Sequence, residues 1–128
     1  MDKSIQDKNG IIDVFMGYQQ IPEGHFVEMD HRIKYFGKLD KYGTATRFLR
    51  EDQLQYHESW DWLMPVVEKI EALGFSVKIY NGACEIIPAR PGEKYRYHYS
   101  QVRNDEDKKL GTHEGVFQFI EWYNTQPK

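Results

Sequence analysis

Histidines and carboxylates are the residues of this 128-residue chain that could carry acid–base or metal chemistry. The five histidines are His25, His31, His57, His98 and His113. None of them has a metal-type partner at short spacing, and the sequence contains no cysteine pair. Glycine-rich phosphate loops and nucleophile-elbow patterns are absent from the sequence as well. The sequence therefore predicts no catalytic residue, no metal site and no cofactor.

One adjacent pair, His57 and Glu58, could act as a general base and acid if a cleft brought a tyrosine beside it. The same two residues precede an amphipathic segment, and polar clusters are common at the start of a helix. We favour this structural role. An enzyme is therefore the third of our hypotheses, supported only by the fact that catalytic sites can assemble from residues distant in sequence.

Composition and length describe an ordinary globular protein, with 40% hydrophobic and 29% charged residues. We expect a single domain over 1–128, with frayed ends at 1–8 and 125–128 and a variable insert at 19–54. The lone Cys84 indicates a reducing, cytoplasmic setting and a buried structural thiol. Neither a membrane-spanning run nor a signal peptide is recognisable.

Charge is unevenly distributed, because the net charge is −3 while residues 31–50 contain six basic residues and one acidic residue. The basic residues are Arg32, Lys34, Lys38, Lys41, Arg47 and Arg50. The aromatic residues between them are Tyr35, Phe36, Tyr42 and Phe48. Basic surfaces interleaved with aromatic rings bind single-stranded nucleic acid, so this segment, joined by Arg96, is a candidate nucleic-acid site. The acidic remainder of the chain argues against it.

Hydrophobic periodicity predicts an α+β fold, in which helices cover a small antiparallel sheet. The predicted helices span about 10–16, 59–73 and 112–124. Asn9, Ser59 and Thr112 are the candidate N-caps of these helices. Gly17 and Gly74 stand where a helix commonly ends.

The sheet is predicted from the hairpin 75–88 and a third strand at about 94–102. Asn81-Gly82 between two alternating runs favours a type I′ turn. The implied register pairs Val77 with Ile86, Lys78 with Glu85, and Ile79 with Cys84. Extra strands are expected from 25–50, where HFVEM, RIKYF and ATRFL are the candidates.

The segment around Trp60 and Trp62 predicts a core helix. Residues two apart on a helix point about 200° from each other, so these two rings cannot form one stacking surface. We expect one of them in the core and the other against a neighbouring segment, and the alternative is that one is a partly exposed anchor for a partner. Pro65 predicts a kink near the start of this helix.

The stretch YHESWDWLMPVVEKIE at 56–71 resembles a motif of short proteins encoded by phages and prophages of Bacteroidetes-type bacteria. Three further stretches resemble the same group: IIDVFMGY at 11–18, VKIYNGACEI at 77–86 and GVFQFIEWYN at 115–124. The group is similar to the phage ABA sandwich domain, in which helices flank a small antiparallel sheet. The resemblance implies an α+β fold and a phage setting, and it supplies no catalytic residues.

Three functions are therefore open. The first is a non-enzymatic accessory protein of a phage or mobile element that binds another protein. Its candidate contact residues are Trp60, Trp62, Tyr35, Phe36, Tyr42 and Phe48. The second is a nucleic-acid-binding module that uses residues 31–50, and the third is a small enzyme without a recognisable motif.

Overall fold

The structure is a computed structural model that describes residues 3–80, 83–88, 100–103 and 108–126. The chain divides into two compact units, Met1–Gln55 and Tyr56–Lys128. Each unit contains a three-stranded antiparallel sheet and at least one helix, so the predicted α+β class is confirmed. Two of the strands expected within 25–50 form, at Tyr35–Leu39 and Ala45–Arg50, and they belong to a separate sheet instead of extending the sheet of the hairpin. A single domain over 1–128 stays a prediction.

Nine helices and strands lie within the described residues. In the first unit they are α1 (Ile5–Phe15), β1 (Gln19–Gln20), β2 (Tyr35–Leu39) and β3 (Ala45–Arg50), followed by a 3₁₀ turn at Glu51–Gln53. In the second unit they are α2 (Trp60–Ala72), β4 (Phe75–Tyr80), β5 (Ala83–Pro88), β6 (Ser100–Arg103) and α3 (Lys108–Asn124). Residues 94–99 of the predicted third strand, with Arg96, lie outside the described residues.

Helix α1 begins earlier than predicted, because Ser4 and not Asn9 caps it. The Ser4 Oγ accepts a hydrogen bond from the Asp7 N–H at 3.1 Å, which satisfies one backbone donor of the first turn. Residues 5–8, which were expected to fray, form that turn. Asn9 is buried instead, and its Nδ2 donates to the Leu54 carbonyl at 3.1 Å. This bond ties the helix to the end of its own unit.

The two later helices confirm the predicted segments with one correction. Ser59 occupies the N-cap of α2, although its side chain makes no capping hydrogen bond, and the helix continues through Pro65. Gly74 has a φ of 100° just past the helix, as a glycine stop requires. Thr112 is not the cap of α3, which starts at Lys108. Its buried hydroxyl donates to the Lys108 carbonyl at 2.9 Å, a common mid-helix bond for threonine.

In the first unit, β2 pairs with β1 on one side and with β3 on the other, both antiparallel. Helix α1 approaches this sheet closely at Gly10, where a Cβ would stand 2.7 Å from the ring of Phe36. Gly37 is equally restricted, because a Cβ there would overlap the backbone carbonyl of Arg47 on β3. The predicted HFVEM strand at 25–29 is wrong, since those residues form turns.

In the second unit, the predicted hairpin register is confirmed, with Val77 opposite Ile86 and Ile79 opposite Cys84. The turn at 81–82 lies outside the described residues. Strand β5 also pairs with β6. Helix α3 packs on this sheet through Gly115, where a Cβ would stand 2.8 Å from the Cys84 Sγ. The apolar stripe of α2 contributes Leu63, Val66, Val67 and Ile70 to the buried core.

None of the helices in the described part of the chain is both long enough and apolar enough to cross a membrane.

Candidate functional site

A long loop in the first unit is the most distinctive surface feature of the described residues. Residues 22–34 contain no helix or strand, yet the loop closes on itself because the Ile21 N–H donates to the Tyr35 carbonyl at 2.8 Å. A compact surface segment with adjacent ends is an Ω-loop, a type of loop that frequently carries function. We call residues 22–34 the Ω-loop.

An aromatic cluster holds the Ω-loop on the sheet. The ring of Phe26 meets the ring of Phe48 edge-on at 5.2 Å, and Phe48 stacks on Tyr35 at 4.9 Å between ring centroids. The Tyr35 hydroxyl accepts from the Asp30 N–H at 3.0 Å. The Met29 Sδ accepts from the Phe26 N–H at 3.4 Å. The loop is thus held in place through Phe26 and Asp30, although it lacks regular secondary structure.

The β2–β3 turn is tied to the Ω-loop by a direct hydrogen bond. The Asp40 Oδ1 accepts from the N–H groups of Tyr42 and Thr44, each at 2.9 Å, and Gly43 adopts a φ of 81°. The His25 Nε2 lies 2.8 Å from the Gly43 carbonyl and donates to it. Residues 25–29 and 40–44 therefore form one surface, which we call the loop tip.

Two large side chains of the loop tip extend into solvent. The side chain of Val27 is fully exposed, and Tyr42 is 79% exposed. The Lys41 ammonium lies 5.1 Å from the centroid of the Tyr42 ring, a weak cation–π contact. Single exposed apolar residues are normal, but two of them on loops held by side-chain bonds are candidate binding anchors.

The basic segment does not present the bare cationic surface that its sequence suggests, because four of its six basic side chains pair with carboxylates. These pairs are Arg32 with Asp30 at 2.9 Å, Lys34 with Asp7 at 3.9 Å, Arg47 with Asp13 at 2.7 Å, and Arg50 with Asp52 at 3.0 Å. Residues 1–55 as a whole hold eight basic and nine acidic residues. Lys38 and Lys41 remain exposed.

Arg47 is the clearest case of a structural cation. Its guanidinium makes a two-bond contact with the fully buried carboxylate of Asp13, at 2.7 and 3.1 Å. The same guanidinium lies 3.7 Å from the ring centroid of Tyr18. These contacts clamp β3 to α1, and they leave little of Arg47 for a nucleic-acid phosphate.

The aromatic residues named from the sequence have different positions. Tyr35 and Phe36 are buried, so they cannot contact a partner directly, whereas Phe48 is half-buried beneath the Ω-loop and Tyr42 is exposed.

In the second unit, Trp60 and Trp62 are both half-buried. The ring of Trp62 packs edge-on against the buried Tyr56 at 5.1 Å. The sequence analysis did not identify Val27 as a candidate contact residue, because a valine in a predicted strand gives no sign that its side chain is exposed.

A cluster of polar side chains lies in the unit 56–128. The His57 Nε2 stands 3.1 Å from the Glu58 Oε1, as the sequence suggested, and the ring of the buried His113 is 6.0 Å away. The Lys109 ammonium donates to the Glu58 carbonyl at 3.2 Å. An imidazole–carboxylate pair could move a proton. The more direct reading is that the cluster joins the start of α2 to α3.

Cys84 and the carboxylates give no sign of nucleophilic or metal chemistry. Burial, with the neighbouring charge of Glu85, raises the pKa of the Cys84 thiol to about 12, so the thiolate is disfavoured. Across the described ranges, no group of three or more His, Cys, Asp or Glu side chains is placed to hold a metal ion.

Comparison of the chain with family models, with curated proteins and with solved structures finds no match. The phage setting therefore stays a prediction from the sequence resemblance.

Proposed function

We propose that this chain is a non-enzymatic protein-binding module of a phage or mobile element, acting in the cytoplasm. The observation that carries the proposal is the loop tip, where Val27 and Tyr42 extend into solvent from two loops joined by the His25–Gly43 hydrogen bond. A few side chains commonly carry most of the binding energy of a protein interface, and tyrosine is enriched among them.

The loop tip is suited to binding because its backbone is already ordered. Binding costs free energy for each loop and side chain that it immobilises, and prior hydrogen bonds reduce that cost. Burying an exposed valine fully contributes roughly 1.5–3 kcal/mol. The bonds from Asp40 to the turn and from Tyr35 to the Ω-loop keep the anchors in place.

The phage setting is supported by the four stretches that resemble phage and prophage proteins, and the cytoplasmic setting by the single cysteine. Nucleic-acid binding is the weaker alternative. Four of the six cations proposed within residues 31–50 already pair with carboxylates, and each such pair reduces the gain from releasing counterions off a nucleic acid.

The test is a pull-down with the tagged chain from a lysate of the cells that encode it, with and without nuclease. Three forms are compared: the unaltered chain, the double variant Val27→Ser/Tyr42→Ala, and the control Tyr80→Ala. Tyr80 is a matched control because it is an exposed tyrosine in the other unit, at 47% exposure. Circular dichroism confirms that each form is folded.

We expect a partner protein that resists nuclease, is retained by Tyr80→Ala and is lost with the double variant. Capture that disappears with nuclease would contradict the proposal and direct attention to Lys38 and Lys41. Capture that survives the double variant unchanged would show that the loop tip is not the binding surface.

A further inference from the structure

Strand β4 has an edge that no other strand covers within the described part of the chain, because the sheet order there is β4-β5-β6. Tyr80 and Ala83 face each other across a two-residue connection, so this pair exchanges both of its backbone hydrogen bonds. Bonded and non-bonded pairs alternate along an antiparallel ladder, so every second residue of β4, counted from Tyr80, bonds to β5. The backbone groups of Val77 and Ile79 therefore point away from β5, along the open edge.

The register of β4 is regular, which suits the strand to pairing with a further strand. It keeps one register with β5 over its whole length, Phe75–Tyr80. Strand β3, an outer strand of the other sheet, shifts its register against β2 between Lys38 and Leu39. Such bulges disturb an edge and protect it from pairing with another chain. Of these two edges, β4 is therefore the one that can accept a strand.

The side chains at the open edge of β4 leave apolar surface uncovered. Val77 stands opposite Ile86 and Ile79 opposite Cys84, so both belong to the face of the sheet on which α3 packs. Ile86 and Cys84 are fully buried, but Val77 and Ile79 are only half-buried. A further strand beside β4 would cover more of these two side chains and would pair their backbone groups.

The sequence of β4 is complementary to itself in one antiparallel register, in which Val77 of one copy faces Val77 of the other. Phe75 then lies opposite Ile79 of the other copy, so apolar side chains meet on the face that α3 covers. On the opposite face Ser76 meets Lys78, and charges of the same sign stay apart. A shift that centres the pairing on Lys78 would place two ammonium groups opposite each other, which destabilises strand pairing. The strand therefore favours a single register with a second copy of itself.

We propose that two copies of the chain pair antiparallel along β4, joining their two three-stranded sheets into one sheet of six strands with twofold symmetry. The two Val77 residues exchange backbone hydrogen bonds at the symmetry axis, and Ile79 of each copy meets Phe75 of the other. A strand edge buries less surface than a standard interface, so we expect a dissociation constant of roughly 1–500 μM. The dimer uses the unit 56–128, so it is independent of the loop tip and of the proposed function.

The test is sedimentation equilibrium of the full chain from about 5 μM to about 1 mM, which covers the expected range of dissociation constants. Ser76→Glu should tighten the dimer, because two glutamates then meet two Lys78 ammonium groups, and Ser76→Lys should weaken it by repulsion at the same two places. Each effect is expected to be about two- to thirtyfold and to shrink in about 1 M salt. The control pair, Thr46→Glu and Thr46→Lys, makes the same charge changes at an exposed position of the other sheet and should leave dimerisation unchanged.

A proline variant and amide exchange test the backbone pairing itself. Val77→Pro removes an N–H group that points away from β5, so the single copy should fold, while the dimer loses its central bonds and should not form. In the unaltered chain, the amides of Val77 and Ile79 should exchange more slowly at high than at low protein concentration. The amide of Lys78 should be protected at both concentrations, because it bonds to β5 within each copy.

A chain that stays monomeric up to about 1 mM overturns the proposal. Equal dimerisation of Ser76→Glu and Ser76→Lys also overturns it, since this register requires opposite effects. Protection of Val77 and Ile79 that arises only in a complex with another protein would assign the edge to that protein, and the dimer would again be wrong. If Val77→Pro does not fold, the two Ser76 variants and the exchange of the unaltered chain still decide the question.

Discussion

The buried ion pair between Asp13 and Arg47 gives the sharpest test of the first unit. Asp13 is fully buried and Arg47 is 18% exposed, and two hydrogen bonds join them. Asp13→Ala would leave a largely buried guanidinium without this carboxylate, which costs about 3–5 kcal/mol. That loss is a large share of the roughly 5–15 kcal/mol that separates folded from unfolded domains.

The matched control is Asp52→Ala, which removes an exposed carboxylate from a similar contact. The Arg50 Nε lies 3.0 Å from the Asp52 Oδ1, but both side chains are about half exposed, so the loss should be below about 1 kcal/mol. Urea unfolding at pH 7, followed by circular dichroism, measures both losses. Tryptophan fluorescence is a poor probe here, because all three tryptophans lie in the unit 56–128.

Equal losses for Asp13→Ala and Asp52→Ala would refute the argument that burial makes the first pair structural. A double variant, Asp13→Leu/Arg47→Met, provides a further check. Replacing a buried pair by apolar residues of similar size is often neutral, so this variant should recover most of the stability that Asp13→Ala loses.

Three other outcomes follow from single contacts. Hydrogen bonding to Arg32 lowers the pKa of Asp30 to about 2, below its unfolded value of about 3.9. The stabilisation that the ionised Asp30 gives the Ω-loop should therefore be complete above about pH 4 and lost as the pH falls through about 2. NMR titration of Asp30 should show its midpoint return toward about 4 in Arg32→Gln. Because burial raises the pKa of Cys84 to about 12, a disulfide reagent at pH 8 should label the thiol only after unfolding, and fast labelling of the native chain would contradict this. Gly115→Ala should cost about 1–3 kcal/mol in urea unfolding by crowding Cys84, and adding Cys84→Ala should reduce that cost, whereas strictly additive losses would show that the two do not touch.

The parts of the fold that depend on local pattern could be predicted from the sequence. The stripe of α2 and the register of the 75–88 hairpin follow from spacing alone, since each places apolar residues on one face. The starts of α1 and α3 could not be predicted. Ser4 competes with Asn9 as a cap, and only the packing that buries Asn9 against Leu54 decides between them. Thr112 also has the side chain of a typical cap, but it is buried and lies inside α3, one turn after the helix begins.

The candidate site was less predictable, because it depends on contacts between distant residues. Residues 31–50 are basic as a sequence, but the buried carboxylate that pairs with Arg47 comes from α1, at Asp13, and the Asp7 carboxylate of α1 lies 3.9 Å from the Lys34 ammonium. The exposure of Val27 likewise depends on the closure of the Ω-loop at Ile21 and Tyr35, which no short pattern encodes.

The most direct test of the central claim is amide hydrogen exchange of the chain in complex with the partner recovered from the pull-down. The account predicts slower exchange in the complex at residues 25–29 and 40–44, with little change along α2. Protection confined to α2, around Trp60 and Trp62, would contradict the assignment of the loop tip and would place the binding surface in the other unit.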